Sequence, residues 1–155
     1  MKEIEIDIGQ AAPEFGLKDQ HGELVTLTKL RGKKVILSFH PLAWTPVCAK
    51  QMKDLEANYA EIESGGAIAL GISVDSVPCK KVWAKDMRVH RTKLLSDFWP
   101  HGEVAQQFGI LREREGFSER CVLILDSEGV VRFKKIYPLG EAPDVSEVLS
   151  ALRTI

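Results

Sequence analysis

The order of apolar runs along this chain predicts an α/β sandwich, a mixed sheet flanked by helices. Two compact apolar runs, at residues 35–39 and 67–74, are separated by a stretch whose apolar positions recur at helical spacing. A third run at 121–125 is followed by a turn and a returning strand. The tail then spaces Val145, Val148, Leu149 and Leu152 along one helical face.

Near the start, residues 14–18 and 24–27 flank His21-Gly22 and suggest a small hairpin. The run Val35-Ile36-Leu37-Ser38-Phe39 is a buried strand. After Cys48 the positions Met52, Leu55, Tyr59 and Ile62 predict one helix, stopped by Gly65-Gly66. Residues 67–74 form the second buried strand. A helix over about 80–87 follows, with Val82 and Trp83 among its apolar positions, and a short helix covers 102–108. The third strand is Cys121-Val122-Leu123-Ile124-Leu125. Asp126-Ser127-Glu128-Gly129 makes the turn into a fourth at 130–133, and a terminal helix starts near Asp144.

At 155 residues the chain is most simply one domain over 1–155, with enough length for a proper core. A net charge of −1 gives no electrostatic case for nucleic acid or an anionic membrane. No window approaches the roughly 18 apolar residues of a spanning helix. The start Met1-Lys2-Glu3-Ile4-Glu5-Ile6-Asp7 is charged and alternating, unlike a secretory leader, so a cytoplasmic protein is expected. The three cysteines, at 48, 79 and 121, are odd in number and far apart. None forms C-x-x-C or a paired knuckle, so no metal site is expected, and reduced thiols are.

The sharpest chemical signal is Cys48. Thr45 is a favoured N-cap residue, and Pro46 then falls at the first helical position, where its missing N–H costs nothing. On that register Cys48 is the third helical residue. A thiol there meets unpaired backbone N–H groups and the positive end of the helix dipole. Both favour thiolate, the reactive form. The plainer alternative is that Thr45 merely caps a helix and Cys48 is a small buried apolar residue. The rigid loop supplied by Pro41 and Trp44 favours reactivity, because it positions the thiol.

Pro41-Leu42-Ala43-Trp44-Thr45-Pro46-Val47-Cys48 matches P-x-x-x-T-x-x-C, and the chain resembles the peroxiredoxins (AhpC/TSA superfamily), thiol peroxidases on a thioredoxin fold. The similarity extends over the opening from Gly9 to Phe15, Ser73-Val74-Asp75-Ser76, Leu95-Ser96-Asp97, and Arg120 ahead of the strand ending at Asp126. Within the family, Leu94-Leu95-Ser96-Asp97-Phe98-Trp99-Pro100-His101-Gly102 looks most like the alkyl hydroperoxide reductase E group, one-cysteine enzymes. The resemblance implies that Cys48 is the peroxidatic nucleophile, becoming a sulfenic acid. It implies that Thr45 orients the peroxide and Pro41 shields the thiolate. Arg120 would favour the anion and stabilise charge on the oxygens. Taken by itself Arg120 would be a snorkelling surface residue; the resemblance alone selects it.

His40 departs from the family, standing where an aromatic residue is usual, and is taken as a spacer. Cys121 belongs to the core. Cys79, at a helix start where a lowered pKa is conceivable, is a candidate resolving cysteine beside an external thiol or a glutaredoxin- or thioredoxin-like reductant. Phe39, Trp44, Phe98 and Trp99 would form an apolar pocket mouth, or else core or dimer contacts, with Trp44 or Trp83 at the interface of an expected homodimer. No cofactor is implied. Two rivals stay open. Trp44-Thr45-Pro46-Val47-Cys48 resembles the W-C-x-x-C of thioredoxin-like disulfide oxidoreductases with the attacking cysteine replaced, and a non-enzymatic thioredoxin-fold interaction module needs no thiol chemistry.

Overall fold

The computed structural model describes residues 5–155; the first four residues of the charged start lie outside it. Seven strands form one mixed sheet. In chain order these are β1 (Gly16–Lys18), β2 (Leu24–Thr26), β3 (Lys34–Phe39), β4 (Ala67–Ser73), β5 (Lys93–Ser96), β8 (Arg120–Leu125) and β9 (Val131–Tyr137). Between β5 and β8 the chain makes a separate two-stranded hairpin, β6 (Leu111–Arg112) and β7 (Phe117–Ser118). The helices are α1 (Pro46–Ala57), α2 (Tyr59–Ser64), α3 (Val77–Met87), α4 (Glu103–Gln107) and α5 (Val145–Arg153).

The sheet runs β2-β1-β5-β4-β3-β8-β9. Strands β3, β4 and β5 are parallel, β8 pairs antiparallel with β3, and β9 pairs antiparallel with β8. The expected α/β architecture with its N-terminal hairpin, Gly16 opposite Thr26, is therefore present. Successive side chains of a strand point to opposite faces, so the sheet builds two cores. Ile36, Val122 and Ile124 face Met52, Trp83 and Leu149 of α1, α3 and α5. Leu37, Phe39, Cys121 and Leu123 face Phe108 and Ala105 on the α4 side. Each large aliphatic side chain removed from water there contributes about 1.5–3 kcal/mol.

Three expectations change. The helix after Cys48 is two helices, broken at Asn58, whose side-chain amide donates to the Asp54 carbonyl at 2.8 Å. A side chain that offers the backbone an alternative partner is a common helix interruption. Helix α3 begins at Val77 rather than near 80, because the Ser76 hydroxyl accepts from the Cys79 N–H. Its buried face is Lys80, Trp83, Ala84 and Met87, with Val82 turned to solvent. Trp83 is thus a core residue and is excluded from any surface interface. Strand β5 and the β6–β7 hairpin carry no strong apolar run of their own.

Gly71 in β4 marks where α1 presses on the sheet. A Cβ there would overlap the Met52 sulfur and crowd Leu94. The absent side chain lets the start of α1 settle onto the ends of β3 and β4.

Candidate active site

Where β3 ends, the chain leaves the sheet and enters α1 through residues 40–45. Asp75, just past β4, fastens this loop. Its Oδ2 accepts from the Ala43 N–H at 2.8 Å and from the Ser73 hydroxyl at 2.6 Å. Its carbonyl accepts from the Ser96 hydroxyl at 2.6 Å. The sequence segments around Ser73 and Ser96 therefore act here as anchors for the loop before the thiol. Trp44 takes a left-handed conformation, φ +68°, which a bulky residue adopts at a cost of order 1–3 kcal/mol when its surroundings hold it.

Pro46 is the first residue of α1 and Cys48 the third, as the capping pattern predicts. Thr45 stands at the N-cap position but does not cap. Its hydroxyl donates instead to the Leu42 carbonyl at 2.8 Å. The first-turn N–H groups are thereby left without a side-chain cap, and the Thr45 oxygen keeps its lone pairs for a donor in the pocket.

Cys48 is 1% exposed. Arg120 reaches it from the first position of β8: Nη1 donates to Sγ at 3.3 Å and to Gln51 Oε1 at 2.8 Å. The rest of the fork is fixed on one carbonyl, with Nη2 at 2.6 Å and Nε at 3.2 Å from Leu139 O. Gln51 is anchored in turn, its amide donating to Ser38 Oγ at 2.7 Å and the Phe39 carbonyl at 3.1 Å. A buried guanidinium held by four contacts has little freedom to leave the sulfur. A buried cation interacts with a neighbouring charge more strongly than a solvated one does.

An open pocket of about 240 Å³ leads to this sulfur. Pro41, Leu42, Thr45, Pro46 and Val47 form one wall; Phe117, Arg120 and Leu139 form the other. The surface is nearly all apolar, and the space exceeds the roughly 30 Å³ share of one liquid water many times over. Two hollows of about 390 Å³ each lie elsewhere, one by Lys34 and Arg153 and one by Leu24 and Trp99, and neither contains a cysteine.

The residues Cys48, Thr45, Arg120 and Pro41 are thus brought together. The proposed aromatic mouth is not. Phe39 is buried in the opposite core, while Phe98 and Trp99 lie by the N-terminal hairpin. Trp44 is exposed and does not line the pocket. Phe117, Leu42, Val47 and Leu139 supply the apolar surface instead. Phe117 arrives on the β6–β7 hairpin, whose turn has Gly116 at φ +77°.

Gln51 was not anticipated, although a polar residue three after Cys48 on an apolar stripe is a readable signal. Cys79 departs from expectation. Burial and the Asp75 carboxylate, 3.9 Å from its sulfur, push the thiol up rather than down. Cys121 is a core residue whose thiol burial pushes up to about 12. Among the described residues no cluster of three His, Cys, Asp or Glu side chains is placed to hold a metal ion, and no helix is long and apolar enough to cross a membrane.

The chain is also similar to known proteins over most of its length. The AhpC/TSA family model matches residues 8–134. Alkyl hydroperoxide reductase E of Mycobacterium tuberculosis is 40% identical over 140 residues, covering 90% of this chain and 91% of the relative. Peroxiredoxin 2 of Thermoplasma acidophilum is 31% identical over 153 residues, covering 96% and 75%. Among solved structures, the peroxidoxin BcpB of Mycobacterium tuberculosis superposes with a TM-score of 0.86 at 29% identity, covering 97% of this chain and 99% of that one.

Proposed function

The chain belongs to the AhpC/TSA family, the peroxiredoxins, and from that premise we propose that Cys48 is the nucleophile of a thiol-dependent peroxidase acting on hydrogen peroxide and organic hydroperoxides. The observation that carries this reading is the Arg120 guanidinium 3.3 Å from Cys48 Sγ at the end of an open apolar pocket.

The Cys48 thiolate attacks one peroxide oxygen. An S–O bond forms as the O–O bond breaks, giving Cys48 sulfenic acid and an alkoxide or hydroxide that takes up one proton. The sulfur is oxidised by two electrons and the peroxide is reduced by two. Thr45 accepts from the peroxide hydroxyl, because its own proton is committed to the Leu42 carbonyl. Arg120 and the open first-turn N–H groups of α1 face the oxygens where negative charge grows. Pro41 keeps bulk water from the sulfur. The apolar walls favour an organic hydroperoxide, whose alkyl group would leave water on binding.

Regeneration runs through an external thiol or a redoxin. One thiol condenses with the sulfenic acid, releasing water and leaving a mixed disulfide; a second thiol displaces it. The raised Cys79 thiol is a poor attacker at neutral pH, which supports the external route. The thioredoxin-like alternative would need a second cysteine at the pocket, and Cys48 is the sole cysteine lining it among the described residues. A homodimer is proposed from the exposed apolar side chains Trp44, Phe98 and Trp99, the last 82% exposed. A cytoplasmic site of action fits three free thiols.

Hydroperoxide consumption with a thiol donor tests the reading. Wild type and Cys79→Ser are expected to turn over alike, with sulfenic acid trapped at Cys48, and Cys48→Ser to be inactive. Equal turnover by Cys48→Ser would refute the assignment. A rapid stoichiometric Cys48–Cys79 disulfide would overturn the external route.

A further inference from the structure

Behind the pocket lies a group that the reaction as described does not use. Lys80 is fully buried, on the apolar face of α3, and its Nζ lies 3.3 Å from His40 Nε2. His40, equally buried, is the residue immediately before Pro41. Its Nδ1 is 3.3 Å from the Ser38 carbonyl, which can only accept, so Nδ1 carries the ring proton and Nε2 is left to accept from Lys80. Trp83 closes the site: its ring lies 5.5 Å from the imidazole and 6.0 Å from the amine. Trp83 and Cys48 belong to the same core cluster.

A lysine at that depth is expensive when charged, and no carboxylate pairs with it within ion-pair distance among the described residues. An apolar residue would fill the space at lower cost. Its charge is nevertheless favoured by several groups from the surrounding elements. Asp75 lies just ahead of α3 and Asp97 beyond β5, while the thiols Cys79 on α3 and Cys48 on α1 contribute only when ionised. His40 also senses the Arg120 charge from β8. Lys80 is thus a second cation whose field reaches Cys48, carried by the helix whose Trp83 shares a core with that cysteine, besides the Arg120 guanidinium that touches the sulfur from β8.

We propose that the buried His40–Lys80 pair is an electrostatic positioning device for Cys48, a charge that favours the sulfur as anion while Lys80 is protonated and withdraws that support when it is not. His40 holds the amine through a single acceptor nitrogen. Thiol ionisation releases one proton and a neutral Lys80 takes one up, so the two events balance in charge and favour each other. Burial pulls Lys80 down from 10.5 to about 7, while burial and the neighbouring Lys80 hold His40 well below the ordinary range. The proton shared by the pair therefore rests on Lys80, and its gain or loss falls near neutrality. The inference rests on Cys48 being the peroxidatic nucleophile.

Single-turnover oxidation by hydrogen peroxide, followed by tryptophan fluorescence from pH 6 to pH 9, tests it in Lys80→Met and in His40→Phe. Lys80→Met is expected to be about tenfold slower than wild type at pH 6 and within about twofold at pH 9, where wild-type Lys80 has lost its proton. His40→Phe, which keeps the amine but removes its acceptor, shows a smaller loss with the same pH pattern. A merely structural role would lower the rate equally at both pH values; that result, or unchanged rates throughout, overturns the proposal. If Lys80→Met fails to fold, His40→Phe decides alone. Cys48→Ser is run beside them: oxidation kinetics that survive in it would refute the nucleophile and not the pair.

Discussion

Arg120 is the residue on which the geometry makes its strongest demand. Arg120→Met keeps much of the side-chain bulk and removes the donor 3.3 Å from Cys48 Sγ. Loss of one preorganised donor to developing negative charge costs about 3 kcal/mol of transition-state stabilisation, a roughly 150-fold slower sulfenic acid step. The substitution also strips the partner from Gln51 Oε1 and from the Leu139 carbonyl. A buried acceptor left unpaired costs about 1–3 kcal/mol, so the variant will be less stable, and its folded fraction must be measured in the same buffer. Arg120→Lys keeps the charge without the planar fork that meets sulfur, amide and carbonyl together. It is expected to recover no more than about tenfold of the loss.

Gln51 supplies the internal control. It touches Cys48 chemistry only through Arg120, so Gln51→Leu should cost about fivefold by loosening the guanidinium. In the Arg120→Met background it should cost nothing further, a coupling of about 1 kcal/mol in the double-mutant cycle. Stopped-flow oxidation with peroxide in excess over enzyme reads both. Folded Arg120→Met within threefold of wild type, or strictly additive losses in the double variant, would refute the reasoning.

Two further outcomes concern stability. Gly71→Ala is expected to lower unfolding free energy by about 1–3 kcal/mol in urea titrations, since the new methyl must displace Met52 beneath Cys48; an unchanged midpoint would show that Met52 moves freely. For Lys80, the folded protein binds fewer protons than the unfolded chain between about pH 7 and 10.5, so its burden is full below pH 7 and fades as pH rises. Lys80→Met should accordingly gain on wild type most below pH 7, the difference shrinking steadily as pH rises from 7 to 9. A gap independent of pH would contradict it.

Much of the fold was readable because its signals are local. The apolar runs of β3, β4 and β8 announce strands buried on both faces, and the Thr45-Pro46 pattern fixes the register of α1 to the residue. The Asn58 break was hidden by uninterrupted apolar spacing on both sides of it. The position of Thr45 was right and its hydrogen bond wrong, since the nearby Leu42 carbonyl competes with the helix N–H groups for that hydroxyl. Lys80 also carries a local signal. Lys80, Trp83, Ala84 and Met87 are spaced as one buried stripe, and a lysine on such a stripe is an anomaly that asks for a reason.

Arg120 is the instructive case, because no local pattern distinguishes it from a surface arginine. Its direction is decided by the register of β8 against β3. Phe39 pairs with Cys121 and Ser38 with Val122, so the next antiparallel step brings Arg120 opposite His40. Ile36, Val122 and Ile124 all face the α1 core, and the two-residue period puts Arg120 on that same face, toward Cys48. A slip of one residue would present Cys121 to the pocket and send the guanidinium into the opposite core among Leu37, Phe39 and Phe108. The apolar alternation of β8 forbids that slip. The same alternation that builds the two cores therefore aims the Arg120 guanidinium, and the chemistry proposed at Cys48 depends on the register of a residue 72 positions away in sequence.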